Sequence, residues 1–278
     1  MKIRLVMPIC SKLVDSKEKY YCIESANNRK YRFKILENAM IFNAKKIDLV
    51  VTSNNYFYFN INNEKVLANI LQKIKNKKDI IIGVDYSKKI NPIGGINSKV
   101  CYYKAFRNKY ICKKTIWETY PCNKIDSDKK FKSQQRVIKI KNKVICLLSC
   151  GDITQKCLIK KDNIPDTDVY LDLAHMNYPS LSRKQKGYDT LINRLYENNE
   201  KIVILSQQFS NSIQIPSNKR VIINKKNKLN QTYFSANQLH YKYVFPKTLM
   251  QEVYMFNDKH NLTKEFENIK YFFVDIEI

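Results

Sequence analysis

The sequence predicts an α/β protein with two sheets and flanking helices, and three observations carry that expectation. The first third of the chain alternates strand-period and helix-period apolar patterns. Short unbroken apolar runs, the pattern of strands covered on both faces, recur from Ile47 to the C-terminus. Gly and Pro number only 5 and 7 in 278 residues, which excludes a linker-rich or low-complexity chain. No shift in composition marks a boundary, so residues 1–278 read as one domain.

The elements follow in order. Residues 2–9 alternate as a first strand, and residues 15–30 are polar, with a loop expected around Asn27-Asn28. From Tyr31 to Lys46 apolar residues recur at three- and four-residue steps, which predicts an amphipathic helix. Ile47–Thr52 reads as a buried strand ending in the polar turn Ser53-Asn54-Asn55. A second helix is expected over 63–76 and a third strand over Asp79–Tyr86. Pro92–Gly95 is a turn, and Ile96–Tyr103 with Lys109–Lys114 form two adjacent strands joined by a short basic loop. Residues 118–135 are an irregular loop, and Val137–Ile140 with Val144–Leu148 form a hairpin-like pair. Strands are expected over Asp168–Ala174, Lys201–Ser206, Val221–Ile223 and Tyr271–Ile276, with a helix over Tyr188–Asn198.

The stretch Lys143–Asp152 draws the rest around it. Val144–Leu148 is continuously apolar and stops at Ser149-Cys150-Gly151-Asp152, where Gly151 permits a sharp bend. A thiol at the end of a buried strand suits a nucleophile. It equally suits a small buried Cys that only packs. Asp152 fits a turn-fixing or capping role better than a chemical one.

Composition bounds the remaining classes. The eight Cys residues show no CxxC pairing, which points to reduced thiols and a cytoplasmic protein. No apolar run has the length of a membrane span, and the start lacks a signal-peptide pattern. The net charge of +25 keeps nucleic acid open as a partner. It is not favoured, because the lysines are spread along the chain, arginine is sparse, and the Lys, Asn, Ile and Tyr excess is what an A+T-rich coding sequence gives. With three His and no Cys pair there is no metal spacing, and no phosphate loop or dinucleotide fingerprint is present, so no cofactor is expected.

Several landmarks come in a recognisable order. A helix ending Ala44-Lys45-Lys46 precedes Ile47–Val51. Asn97-Ser98 opens a strand, Lys113-Lys114 lies in the next, and Cys150 and Asp152 follow the buried run. The strand Asp168–Ala174 follows, and then Arg194, Glu197 and Asn198 on a helix before Ile202–Ile204; Ser217–Ile222 matches more loosely. This order resembles the carbon–nitrogen hydrolase (nitrilase) superfamily over nearly the whole chain, although each motif is short. The resemblance implies a four-layer α-β-β-α sandwich and a Glu-Lys-Cys triad that cleaves small amides or nitriles through a thioester. It makes Cys150 the nucleophile and Lys114 the better-aligned lysine of its pair. Lys114 would supply positive charge beside the thiolate, together with a backbone N–H after the Cys, that of Gly151. It also implies self-association, commonly as homo-oligomers.

The chain departs from the family at one role. Where the family carries Pro-Glu, this sequence has Ser53-Asn54, and an amide has no titrating group with which to act as a base. Asn54 keeps the ability to hold substrate or Lys114 by hydrogen bond. Glu118, just after Lys114, is a candidate auxiliary carboxylate, or a plain loop glutamate. His175, following Ala174, either lines a pocket or is a satisfied structural histidine. Three readings stand: a thiol hydrolase of small amides or nitriles, a binding or assembly protein on the same fold with hydrolysis lost, and a basic nucleic-acid or anion-binding protein.

Overall fold

The computed structural model describes residues 1–10, 26–54, 56–59, 64–87, 96–117, 136–149, 165, 167–173, 202–206, 209–210, 222–224, 229–236, 239–246, 251–258 and 269–278. The alternating start becomes β1 (Lys2–Cys10), followed by helix α1 (Ala26–Ile41) and β2 (Leu49–Thr52). Then come β3 (Phe57–Phe59), helix α2 (Glu64–Gln72) and β4 (Asp79–Ser87). β1, β2 and β4 run parallel, as strands joined through helices must when the chain returns to the same end of the sheet. Two antiparallel strands, β5 (Ile96–Phe106) and β6 (Lys109–Trp117), extend that sheet through the tight turn Arg107-Asn108.

The second sheet begins with the expected hairpin, β7 (Val137–Ile140) and β8 (Lys143–Ser149), and continues with β9 (Val169–Leu173) and β10 (Ile202–Ser206) in parallel with β8. β11 (Phe209–Ser210) pairs with β1. β12 (Ile222–Asn224), β13 (Leu229–Ala236) and β14 (Leu239–Pro246) complete the second sheet. β15 (Gln251–Asp258) and β16 (Ile269–Glu277) return to the first. The first sheet runs β15-β16-β1-β2-β4-β5-β6 and the second β12-β13-β14-β10-β9-β8-β7.

The expected α/β sandwich is what the chain forms. The two sheets pack face to face, β8 against β5 and β6, and β10 against β1. On the outer face of the first sheet, Ile35, Leu36 and Met40 of α1 and Leu67 and Leu71 of α2 bury against Val6, Val50, Ile80 and Ile82. Each such side chain contributes about 1.5–3 kcal/mol relative to its exposed state. β8 and β9 are buried on both faces, as the unbroken apolar run requires. The helix expected over 188–198, the turn at 92–95 and the loop over 118–135 lie outside the described residues.

Two expectations at α1 are corrected. Asn27-Asn28, read as a loop, lies within the helix, because polarity removes the apolar period without removing the capacity to be helical. The helix ends at Ile41 rather than Lys46. Asn43 takes the left-handed conformation (φ 46°), and a separate 3-10 turn, Ala44–Lys46, follows. A buried cation reinforces that stop. Arg4 donates to the carbonyls of Ala39, at 2.9 Å, and Phe42, at the C-terminal end of the helix. Its other face grips Asp275 of β16 through two bonds of 2.6 Å.

Candidate active site at the ends of β2 and β8

Leu49 to Thr52 is a run of β-propensity residues, and its pairing with β4 stops at Val51 opposite Ile81. Beyond that point the Gly83 N–H donates to the Thr52 hydroxyl at 3.1 Å instead of to a ladder carbonyl. The Thr52 hydroxyl in turn donates to the Ser53 carbonyl at 3.1 Å. The chain then turns inward, and Thr52, Ser53 and Asn54 are all fully buried.

Gly83 makes that inward turn possible by close approach. A Cβ there would stand 2.2 Å from Asn54 Cα, Asn54 O and Ser53 O. All three are backbone atoms, so no rotamer change could make room. An isolated glycine inside a strand pattern is the sequence signal for such an approach, and the reading of Asp79–Tyr86 as a plain strand passed over it.

Asn54 reaches across the gap between the sheets. Its Nδ2 donates to Ser149 Oγ at 2.9 Å, a bond between residues 95 apart in sequence and buried at both ends. Ser149 is the last residue of β8, and Cys150 is the next residue in the chain. The other side-chain atom of Asn54, the acceptor Oδ1, is buried and has no hydrogen-bond partner among the described residues; the same holds for Ser53 Oγ. A buried carbonyl left so costs about 1–3 kcal/mol, which marks the position as one whose polar atoms call for an explanation.

Lys114 is directed toward the same interior by an irregularity in β6. Tyr103 pairs with Cys112 and Tyr102 with Lys114, so Lys113 is an extra residue at a bulge. Directly opposed residues share a face. Cys101 and Tyr103 belong to the helix-side core, and Tyr102 and Val100 therefore face the second sheet, as do their partners Lys114 and Ile116. Lys114 is half-buried there, while Lys113 is exposed. Lys99, fully buried on β5, was not singled out from sequence. It pairs with Val84 on the helix-side face, away from Ser149.

The structure thus brings Asn54 to the residue that precedes Cys150 and puts Lys114 on the facing sheet. Cys150, Gly151, Glu118 and His175 lie outside the described residues, as does Asp152. Ser149, Thr52 and Gly83 were missed as parts of the site. Among the described residues Cys101, Cys112 and Cys146 are not in disulfides. Also among them, no group of His, Cys, Asp or Glu is placed to hold a metal ion, and no helix is long and apolar enough to cross a membrane.

No protein-family model matches the chain, and no curated protein matches its sequence. Among solved structures it is similar to a variant of the amidase from Nesterenkonia sp. AN1 carrying acrylamide added at its active-site cysteine. Identity there is 7%, over 100% of this chain and 93% of that one, with a TM-score of 0.49. It is likewise similar to Saccharomyces cerevisiae Nit3, a member of branch 10 of the nitrilase superfamily. That match has 12% identity over 98% of this chain and 88% of that one, with a TM-score of 0.49. These are likenesses of overall shape, at identities that say nothing of chemistry.

Proposed function

We propose that the chain is a carbon–nitrogen hydrolase-like protein that cleaves a small amide or nitrile through an acyl-enzyme on Cys150. One observation carries this reading: the 2.9 Å bond from Asn54 to Ser149, which joins the end of β2 to the residue before Cys150. The turn to which the resemblance assigns the family's catalytic carboxylate and the strand end to which it assigns the nucleophile meet in space.

In this reading the Cys150 thiolate attacks the substrate carbon. A C–S bond forms, and the carbonyl electron pair moves onto oxygen, where the Gly151 N–H and the Lys114 ammonium meet it. Collapse of the intermediate expels the nitrogen, which needs a proton. Asn54 cannot act as the acid or base, having no titrating group. Its role is to accept, through Oδ1, an N–H of the substrate amide. Proton delivery falls to Lys114, to Glu118 or to water. Water then attacks the thioester carbon and releases the acid.

The buried amide at Asn54 also favours a second reading, a protein of this fold that has lost turnover and retains binding. The two separate on experiment. The rate of alkylation of each cysteine is followed against pH by mass spectrometry, with exposed Cys112 and buried Cys101 and Cys146 as internal standards. The hydrolase reading expects Cys150 to react fast well below the free-thiol pKa of about 8.5. It also expects hydrolysis of some member of an amide and nitrile panel, abolished by Cys150→Ala. A Cys150 no faster than Cys112, with no turnover, overturns it. Turnover that is absent in the natural protein and appears in Asn54→Glu selects the second reading.

A further inference from the structure

A groove lies at the end of the first sheet opposite the thiol site. α1, α2 and the β5–β6 hairpin all come to that end, where the chain enters β2 and β4. Between them lies an open groove of about 850 Å³ lined by Lys45, Lys46, Lys75, Lys77 and Lys78, with Asn43, Asn76 and Asn108 among the other lining residues. Among the described residues no lining residue is acidic. The two carboxylates nearest in sequence are engaged elsewhere. Asp48 is held by Lys141 Nζ at 2.7 Å and by the Lys2 N–H at 2.9 Å. Asp79 accepts from the Tyr102 hydroxyl at 2.8 Å and the Ala105 N–H at 2.9 Å. Lys77 is committed to the end of α2, donating to the carbonyls of Ile74 and, at 3.0 Å, Gln72. The remaining four lysines have no carboxylate partner among the described residues.

Four unpaired cations in one concavity repel each other, and a bound polyanion relieves that repulsion. The shape decides which polyanion. A flat bilayer surface does not enter a groove, whereas a single phosphodiester strand does. Lysine meets phosphate as a point charge without the bidentate geometry that reads bases, so recognition would be indifferent to sequence.

We infer that this groove binds single-stranded nucleic acid through its backbone, independently of any chemistry at Cys150. Seven residues lie between Lys46 and Asn54, so the groove is on the order of 20 Å from the thiol end.

The test is fluorescence anisotropy with labelled mixed-sequence single strands of RNA and DNA, the matching duplex, and vesicles of phosphatidylserine in phosphatidylcholine, across a salt series. Two triple variants carry the same change in net charge: Lys45→Gln/Lys75→Gln/Lys78→Gln in the groove, and Lys30→Gln/Lys34→Gln/Lys139→Gln outside it. The groove triple is expected to weaken strand binding at least tenfold and to flatten the log–log salt slope by about two, the loss of about three phosphate contacts. The control triple is expected to stay within about twofold of the natural protein. The duplex, wider and stiffer than one strand, is expected to bind more weakly than the single strand. Equal weakening by both triples would show a net-charge effect and overturn the groove. Vesicle binding without strand binding, no salt-dependent strand binding at all, or a duplex bound as tightly as the single strand would also overturn it.

Discussion

The turn at Asn54 depends on a glycine that makes no hydrogen bond with its side chain because it has none. Gly83 lets two backbone segments approach within 2.2 Å of where a Cβ would sit. Gly83→Ala must therefore push the Ser53-Asn54 backbone away. Overpacking of this kind costs about 1–3 kcal/mol. The expected outcome is a lower urea midpoint together with a change in Cys150 alkylation rate, because the Asn54–Ser149 bond moves with the turn. A matched Gly83→Ala protein whose thiol reacts unchanged would separate the turn from the nucleophile. Arg4 presents the opposite case, a side chain whose many bonds are purely structural. It holds Asp275 and the end of α1 and lies between Phe42 and Phe273, 5.4 and 5.1 Å from their ring centroids. Arg4→Met leaves the Asp275 carboxylate buried without its cation, a loss of about 3–5 kcal/mol. Chemical denaturation of Arg4→Met against Arg4→Met/Asp275→Leu checks this, the double variant regaining most of the loss.

At the scale of elements, the bulge in β6 decides which of two adjacent lysines faces the sheet interface. The sequence offers Lys113 and Lys114 with nothing in their chemistry to separate them. Regular alternation from Tyr110 would have placed Lys113 opposite Tyr102, and the extra residue gives that place to Lys114. Lys114→Ala is expected to slow Cys150 alkylation at pH 7 about tenfold by removing the charge that favours the thiolate, while Lys113→Ala leaves it unchanged. Equal effects would deny the bulge its role. The sheets are also tied at the other end, where Lys141 in the β7–β8 turn, itself in the left-handed region (φ 53°), pairs with Asp48. Burial pushes the Asp48 carboxyl up, but the Lys141 bond and the Lys2 N–H outweigh it and hold the group below its ordinary value. A depressed folded value means that the unfolded chain binds more protons as pH falls. The stabilisation is complete above about pH 4 and is lost as pH drops through the folded value. Lys141 is 59% exposed, so the contribution is below about 1 kcal/mol. Asp48→Asn should remove that acid-side slope from the urea midpoint and leave the alkaline side alone.

Across the whole molecule, strands with unbroken apolar runs were legible, while of those rich in polar and aromatic residues β5 and β6 were read and three others were not. Val144–Leu148 and Asp168–Ala174 announced β8 and β9 because burial on both faces leaves few polar positions, Asp172 being the exception within β9. β13, β14 and β15 went unread because LNQTYFSA, LHYKYVFP and QEVYMFND mix the two kinds of residue without a clean period. Their place in the sheets is set by partners far away in sequence. The site divided the same way. Asn54 and Lys114 could be named from landmark order, but Ser149 and Gly83 matter only through contacts across the sandwich, which no local pattern encodes. The many tyrosines give a last, global consequence. Burial raises the Tyr110 hydroxyl well above its ordinary value, and burial likewise raises Tyr56. The folded chain therefore keeps protons that the unfolded chain gives up above about pH 10, so stability from these groups is full below that pH and falls as pH rises beyond it. Lysine titration in a chain of +25 acts in the other direction by relieving repulsion, so the natural protein alone cannot isolate the tyrosines. Tyr110→Phe can. Its hydroxyl donates only weakly, to Met40 Sδ at 3.9 Å, and accepts from the Lys78 N–H, so the variant should lose no more than about 1–3 kcal/mol at pH 7. Between pH 10 and 11.5 its urea midpoint should fall less steeply. Parallel slopes for the two proteins would mean that Tyr110 ionises without unfolding, and that the ring is not sealed against α1 as its burial implies.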